Sequence, residues 1–269
     1  MTLLVTNTFQ FKGGPMKYGH ALLLFLVASM LIVIPSCKKT TDPEPAEQVS
    51  GDLFPLTAGH KLTFNGFIRH AVNDTNITAT GAYYTGIMTV LPAAPPLPPN
   101  VVNLAGTTFF IFDSSLVDPA PVWVESGFYV KRTSSTSGDF YFLTNAGRFY
   151  RTFGITRTDS LKWILLVKEN ATVGEPWNAF DSTYTSGAGE ARLKIDCVFG
   201  GRADILLNGQ TYSAYKLTAT RTVYLGPTAV AEGATASVWL VPDLGIVKFI
   251  FNSDGETPGF DRNLLSKNF

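Results

Sequence analysis

Few side chains in this sequence have the types and spacing that catalysis needs. The histidines are His20, His60 and His70 and the cysteines are Cys37 and Cys197, so no Cys/His cluster has metal-ligand spacing. The zinc-hydrolase pattern HExxH, the nucleophile elbow G-x-S-x-G and the P-loop are absent as well. His60 precedes a predicted strand and is interpreted as structural. We predict no catalytic residue, no metal site and no cofactor.

Three carboxylates keep one enzymatic alternative open. Asp113, Asp118 and Glu125 lie close together in the sequence. Glycoside hydrolases use two facing carboxyl groups: one acts as the general acid and the other as the base or nucleophile. The other interpretation is a solvated loop, because sequence proximity does not establish that side chains face one another.

An apolar run near the start of the chain ends at the first cysteine. Residues 21–34 are unbroken "ALLLFLVASMLIVI", the length of a signal-peptide core and short for a bilayer span. Ile34-Pro35-Ser36-Cys37 resembles the lipobox of bacterial lipoproteins. The resemblance implies cleavage before Cys37, acyl chains on that cysteine and attachment to a membrane. An uncleaved anchor helix and an ordinary secretory signal with a chance cysteine are the alternatives.

The flanks of this segment refine the interpretation. A signal peptide normally begins near its basic residues, so translation starting at Met16 fits better than translation starting at Met1. Residues 1–36 are therefore left out of the fold.

By the same resemblance, Lys38 stands where some bacteria place an aspartate for inner-membrane retention, which favours the outer membrane. The sequence does not indicate whether the protein faces the periplasm or the cell exterior.

The charge balance argues against nucleic acid as a partner. Removing residues 1–36 takes away two of the 21 basic residues and none of the 21 acidic ones, so the mature net charge is near −2. Nucleic-acid binding normally needs a clustered basic face. With Cys37 acylated, Cys197 would also have no partner for an intrachain disulfide.

The mature chain divides into a tether and one β domain. Residues 37–50 are polar, proline-bearing and without periodicity, which predicts a flexible tether. Residues 51–269 contain short aromatic and β-branched runs separated by turn residues and almost no helical periodicity. We predict an all-β fold, a single antiparallel curved sheet forming a half-barrel or barrel-like domain.

Apolar and polar residues alternate in one predicted strand, and two short segments have the residues typical of tight turns. Across residues 192–199, Leu193, Ile195, Cys197 and Phe199 should face the core and the residues between them the solvent. Asn208-Gly209 predicts a two-residue type I′ hairpin, and Pro242 with Gly245 predicts a type I turn.

The stretch 91–100, "LPAAPPLPPN", has five prolines and no charge. Such a segment cannot be a central strand and favours polyproline II. It is either a rigid loop between two strands or an exposed apolar contact for a partner or the membrane surface.

Two further segments carry a family resemblance. "LFPLTAGHKLTF" and "VWLVPDLGIVKFIF" resemble the opening and closing elements of uncharacterised β-rich envelope lipoproteins of Gram-negative bacteria, with Leu62 and Phe64 in place of the usual aromatics. "VGEPW", with Gly174 and Trp177, resembles a third element. The resemblance implies an antiparallel half-barrel and supplies no catalytic residues.

Three functions are consistent with these observations. The first is a non-enzymatic binding or interaction module anchored in the envelope, with another envelope protein as its partner. The second is a carrier or sensor of a hydrophobic ligand, which would need an apolar cavity of several hundred Å³. The third is a surface glycan hydrolase using the carboxylates above.

Overall fold

Period-two alternation of apolar and polar residues produces strands with one dry face, and these strands assemble into one sheet. The structure, a computed structural model, describes residues 46–69, 83–118, 122–134, 138–145, 161–186, 189–252 and 259–269. Within these ranges the regular elements are β1 (Lys61–Arg69), β2 (Tyr83–Val90), β3 (Thr107–Asp118), β4 (Val122–Arg132), β5 (Phe140–Asn145), β6 (Leu161–Val167), β7 (Trp177–Ser186), β8 (Gly189–Leu207), β9 (Gln210–Leu225), β10 (Thr228–Val241), β11 (Gly245–Phe251) and β12 (Gly259–Lys267).

The strands form one antiparallel sheet. Their spatial order is β6-β5-β4-β3-β2-β1-β12-β11-β10-β9-β8-β7. Every paired couple is consecutive in sequence except β1 with β12, and the consecutive strands β6 and β7 form the two edges. The sheet curves until its two ends meet, where the indole Nε1 of Trp177 donates a hydrogen bond to the carbonyl of Leu165 at 3.0 Å. The sheet is thus nearly closed into a barrel, and the predicted all-β, barrel-like fold is confirmed.

The interior of this barrel is filled with side chains. Leu193, Ile195, Cys197 and Phe199 are at most 4% exposed, which confirms the predicted alternation in β8. Aromatic rings pack along the same interior: Phe199 lies between Trp177 and Tyr215, with ring centroids 5.4 and 6.2 Å apart. The largest fully buried apolar side chains are those of Phe64, Val130, Leu193, Cys197, Phe199, Tyr215, Leu217, Val223, Leu240 and Val247.

The two predicted turns have different outcomes. Asn208 and Gly209 both have positive φ, 49° and 81°, as a type I′ hairpin requires, so that prediction is confirmed. The type I turn predicted at Pro242 is wrong. Asp243, the residue after the proline, has φ 63°, and the amide of Leu244 closes the turn on Val241 at 3.1 Å. A positive φ at that position belongs to a type II turn.

The N-terminal boundary also differs from the expected one. Residues 46–50, assigned to the tether from composition, lie against the barrel. Gln48 forms an isolated antiparallel bridge with Thr172, and Val49 is only 8% exposed. Polar composition was misleading here because the backbone of these residues pairs with a loop more than 100 positions away in the sequence.

The proline-rich stretch lies in the connection between β2 and β3. Its backbone carbonyls are held by aromatic side chains of neighbouring strands: Tyr129 donates to Pro96 at 2.8 Å and Trp163 to Val102 at 2.8 Å. These contacts support the rigid-loop interpretation of residues 91–100.

Lys131 lies beneath the end of this connection. Its ammonium donates hydrogen bonds to the Asn103 side chain at 2.7 Å and to the carbonyl of Leu104, and the residue is 1% exposed. Burial lowers the pKa of Lys131. The connection therefore buries a cation of the sheet in addition to joining two strands.

Candidate functional site

Residues 47–55, the strap, cross the end of the barrel at which β1 begins. The strap starts as a short antiparallel pairing with the connection between β6 and β7: the amide of Val49 donates to Ala171 at 2.9 Å and that of Val173 to Glu47 at 2.8 Å. This pairing satisfies backbone groups on both segments. It also places the first described residues of the domain at the rim.

The middle of the strap is held from two other elements. The amide of Asp243, in the β10–β11 turn, donates to the carbonyl of Asp52 at 2.7 Å. The guanidinium of Arg132, from the end of β4, pairs with the Asp52 carboxylate at 2.7 Å and donates to the carbonyl of Phe54. The Arg132 side chain is 4% exposed and that of Asp52 26%, so this ion pair is largely desolvated.

Packing completes the attachment. The rings of Phe54 and Phe140 stack with centroids 3.9 Å apart. Gly51 has φ 89°, and a Cβ there would come within 2.6 Å of the Pro242 Cβ, so the strap can pass close to the turn only without a side chain. The strap is therefore an integral part of this end of the barrel.

A concave site, the strap cleft, opens between the strap and the neighbouring loops. Its volume is about 470 Å³, within the range of ligand sites in proteins. It is lined by Val49, Ser50, Gly51, Asp52, Leu53, Phe54, Arg132, Gly138, Phe140, Val167, Lys168, Glu169, Asn170 and Asp243.

The lining of the strap cleft is mixed, with polar side chains at its edge and apolar side chains deeper in it. Lys168, Glu169, Asn170 and Asp243 are exposed, whereas the apolar lining side chains Phe54 and Phe140 are buried. These side chains include a cation, two anions and a neutral amide, so they can form ion pairs and hydrogen bonds with a partner. The only buried cation of the lining, Arg132, is already engaged by Asp52, so it is a structural group of the cleft.

A second pocket on the other side of Phe54 is apolar and much smaller. It has a volume of about 50 Å³, room for about one or two water molecules. It is lined by Phe54, Pro55, Leu56, His60, Leu62, Met88, Val90, Ile111, Leu244, Gly245, Ile246 and Phe269. This volume is far below the several hundred Å³ that a hydrophobic ligand of lipid size would need.

The carboxylates considered for glycoside hydrolysis do not form a facing pair in the described residues. Asp113 points into the barrel, where it pairs with Arg262 at 2.8 Å and is 7% exposed. Glu125 is exposed and pairs in register with Ser114, the neighbour of Asp113, so it lies on the opposite face of the sheet. The side chain of Asp118 lies outside the described residues. The structure thus contradicts the suggested pairing of Asp113 with Glu125.

His60 and Cys197, the histidine and the cysteine within the described residues, are both packed against other parts of the barrel. The His60 ring stacks on the C-terminal Phe269 with centroids 3.9 Å apart, and its Nδ1 lies 3.2 Å from the Pro55 carbonyl oxygen. Cys197 is fully buried. His70 and the predicted lipidation residue Cys37 lie outside the described residues.

Cys197 should be chemically inert in the folded protein. Burial, with a smaller contribution from Asp196, raises the pKa of its thiol to about 12. At pH 8 the thiolate would be only about one part in 10⁴ of an already inaccessible group. In a Cys37→Ala background, which leaves Cys197 as the one cysteine of the sequence, we expect no reaction with a chromogenic disulfide reagent in native buffer and one thiol per chain in denaturant. The Cys197→Ala variant should lose that denatured signal, and rapid reaction of the native protein would contradict the burial.

Metal and membrane features are not found in the part of the chain described. No group of three or more His, Cys, Asp and Glu side chains there could hold a metal ion. The same ranges contain no helix long and apolar enough to cross a membrane.

Sequence reasoning did not identify the residues that build the strap cleft. Asp52 and Arg132 are 80 positions apart, and Asp52 and Asp243 are 191 apart. Pro242 was identified as a turn residue, but no local pattern indicates that Gly51 approaches it.

Comparisons with known proteins were made for the whole chain. No protein-family profile and no curated protein matches it. An inferred lipoprotein from Parabacteroides distasonis has a similar solved structure, with TM-score 0.43 and 12% identity over 82% of this chain and 100% of that one. An inferred exported protein with a YmcC-like fold from Bacteroides fragilis has TM-score 0.43 and 14% identity over the same shares. Similarity at this level transfers neither residues nor function.

Proposed function

We propose that this protein is an envelope lipoprotein, held on the outer membrane by acyl chains on Cys37, and that its β domain is a non-enzymatic binding module for another envelope protein. Support for the anchor comes from the sequence, where a 14-residue apolar run, a small residue and a cysteine follow one another. Several acyl chains give durable attachment, whereas a single chain holds only marginally.

The observation that carries the binding role is the contrast between the barrel interior and its rim. The interior is packed with buried side chains, and the apolar pocket beside it measures about 50 Å³. The strap cleft, about 470 Å³ and lined by both charged and apolar side chains, is open at the rim. A barrel with a filled core and an open concavity of mixed lining suits recognition of a protein surface, which is itself part polar and part apolar, better than enclosure of a lipid.

The strap cleft is the site at which we expect the partner. A photo-crosslinking amino acid at Lys168, an exposed residue of the cleft, should yield a discrete adduct in intact cells. The matched control is the same substitution at Lys216, an exposed lysine in β9 that is not among the lining residues. Adducts at Lys216 with none at Lys168, or no adduct from Lys168, Glu169 or Asp243, would contradict a partner in the cleft.

A further inference from the structure

The hairpin between β8 and β9 extends beyond the strands that flank it, and its tip reaches β12. After the bulge at Gly200 and Gly201, residues 202–207 of β8 pair with 210–215 of β9, and we name this segment the finger. Leu207, on one of its faces, is buried, whereas Leu206, on the other, is 70% exposed. The finger therefore presents a large apolar side chain to its surroundings.

A second exposed leucine lies near the tip of the finger. Asn208 at the tip donates to the carbonyl of Leu264 at 2.7 Å, and the next residue, Leu265, is 50% exposed. Leu265 occupies the bulge of β12, where Thr63 pairs with Ser266 and Phe64 with Leu264. The contact at Asn208 thus brings two exposed leucines from distant parts of the chain to the same region.

The finger also begins beside the strap, where the chain enters the domain. The Glu47 carboxylate lies 3.8 Å from the position that a Cβ on Gly201 would occupy. Leu206 is five residues further along the strand, at most about 17 Å away. The point at which the tether reaches the domain and the exposed leucine are therefore close together.

Tether length limits which part of the domain can reach a membrane. From Cys37 to Ala46 there are nine residue steps, which can span at most about 32 Å. β10, with 14 residues, is about 46 Å long, or about 35 Å along the barrel axis at a typical tilt. The turn at Gly226, at the other end of β10, therefore lies farther from Ala46, where the described domain begins, than the finger does.

We propose that the finger, through Leu206 together with Leu265, rests on the lipid surface and sets the orientation of the anchored domain. This proposal rests on the acylation of Cys37 proposed above. Two leucines contribute little affinity of their own, but the anchor already holds the protein at the membrane, so a weak contact suffices to orient it. The strap cleft then lies next to the membrane, where a partner embedded in the same membrane can reach it.

The experiment uses the acylated full-length protein in vesicles of phosphatidylethanolamine and phosphatidylglycerol. An environment-sensitive fluorophore is attached at Leu206→Cys, at Leu265→Cys or, as a control, at Val230→Cys, each in a Cys197→Ala background. Val230 is 43% exposed and lies near the Gly226 turn, so it is matched in side-chain type and exposure. We expect brominated lipids to quench the labels at 206 and 265 about threefold or more strongly than the label at 230, as for residues at the interfacial depth.

The possible results separate the two proposals. Vesicle-bound, acylated protein with equal quenching at 206 and 230, or with none at 206, would overturn the lipid contact and leave the anchor standing. Protein that carries no acyl chain and stays off the vesicles would overturn the anchor, and the contact with it.

Discussion

Replacing Arg262 with alanine should lower the free energy of unfolding by about 3–5 kcal/mol, because the Asp113 carboxylate would be left buried without its counter-ion. The Arg262 guanidinium lies 2.8 Å from Asp113, and both side chains are 9% exposed. Its second nitrogen is 3.4 Å from the Ser115 hydroxyl. Gly86 leaves room beside this pair, since a Cβ there would come within 3.0 Å of the Ser115 hydroxyl and crowd it.

The measurement is urea unfolding of five proteins: the parent, Arg262→Ala, Arg262→Met, Asp113→Leu and the double variant that combines Arg262→Met with Asp113→Leu. Removing both charges leaves no unpaired ion in the interior, so the double variant should be much closer to the parent than either single one. Single effects that simply add, or an Arg262→Ala cost under about 1 kcal/mol, would show that the ion pair does not hold β12 to β3 across the intervening strands.

Cys37→Ala should move the protein from the membrane fraction to the soluble fraction, because acylation of that sulfur is the only attachment we propose that is strong enough to be durable. Fractionation and electrophoretic mobility after metabolic labelling with a fatty acid measure the change. Ser36→Gly, which keeps a small residue before the cysteine, is the matched control and should stay acylated. An alanine variant that still partitions with membranes and shows no mobility change would refute the lipoprotein assignment.

The local features of the fold were predictable from short segments. The alternation in β8 places Leu193 and Phe199 in the core because successive strand residues face opposite sides. Asn208-Gly209 forms the predicted hairpin because both residues tolerate positive φ. The turn at Pro242 was assigned the wrong type, because the left-handed conformation of Asp243 accompanies its contact with the strap, and that contact is not local.

Sequence by itself therefore predicted an export signal and lipidation at Cys37, and it determined the all-β class and the core-facing residues of β8. Tertiary structure alone decided the strap, its cleft and the interior ion pair. Arg132 reaches Asp52 across 80 positions and Arg262 reaches Asp113 across 149. Hydrophobic periodicity sets which face of a strand is buried, whereas the register between distant strands sets which polar groups meet, and that register exists only once the barrel has closed.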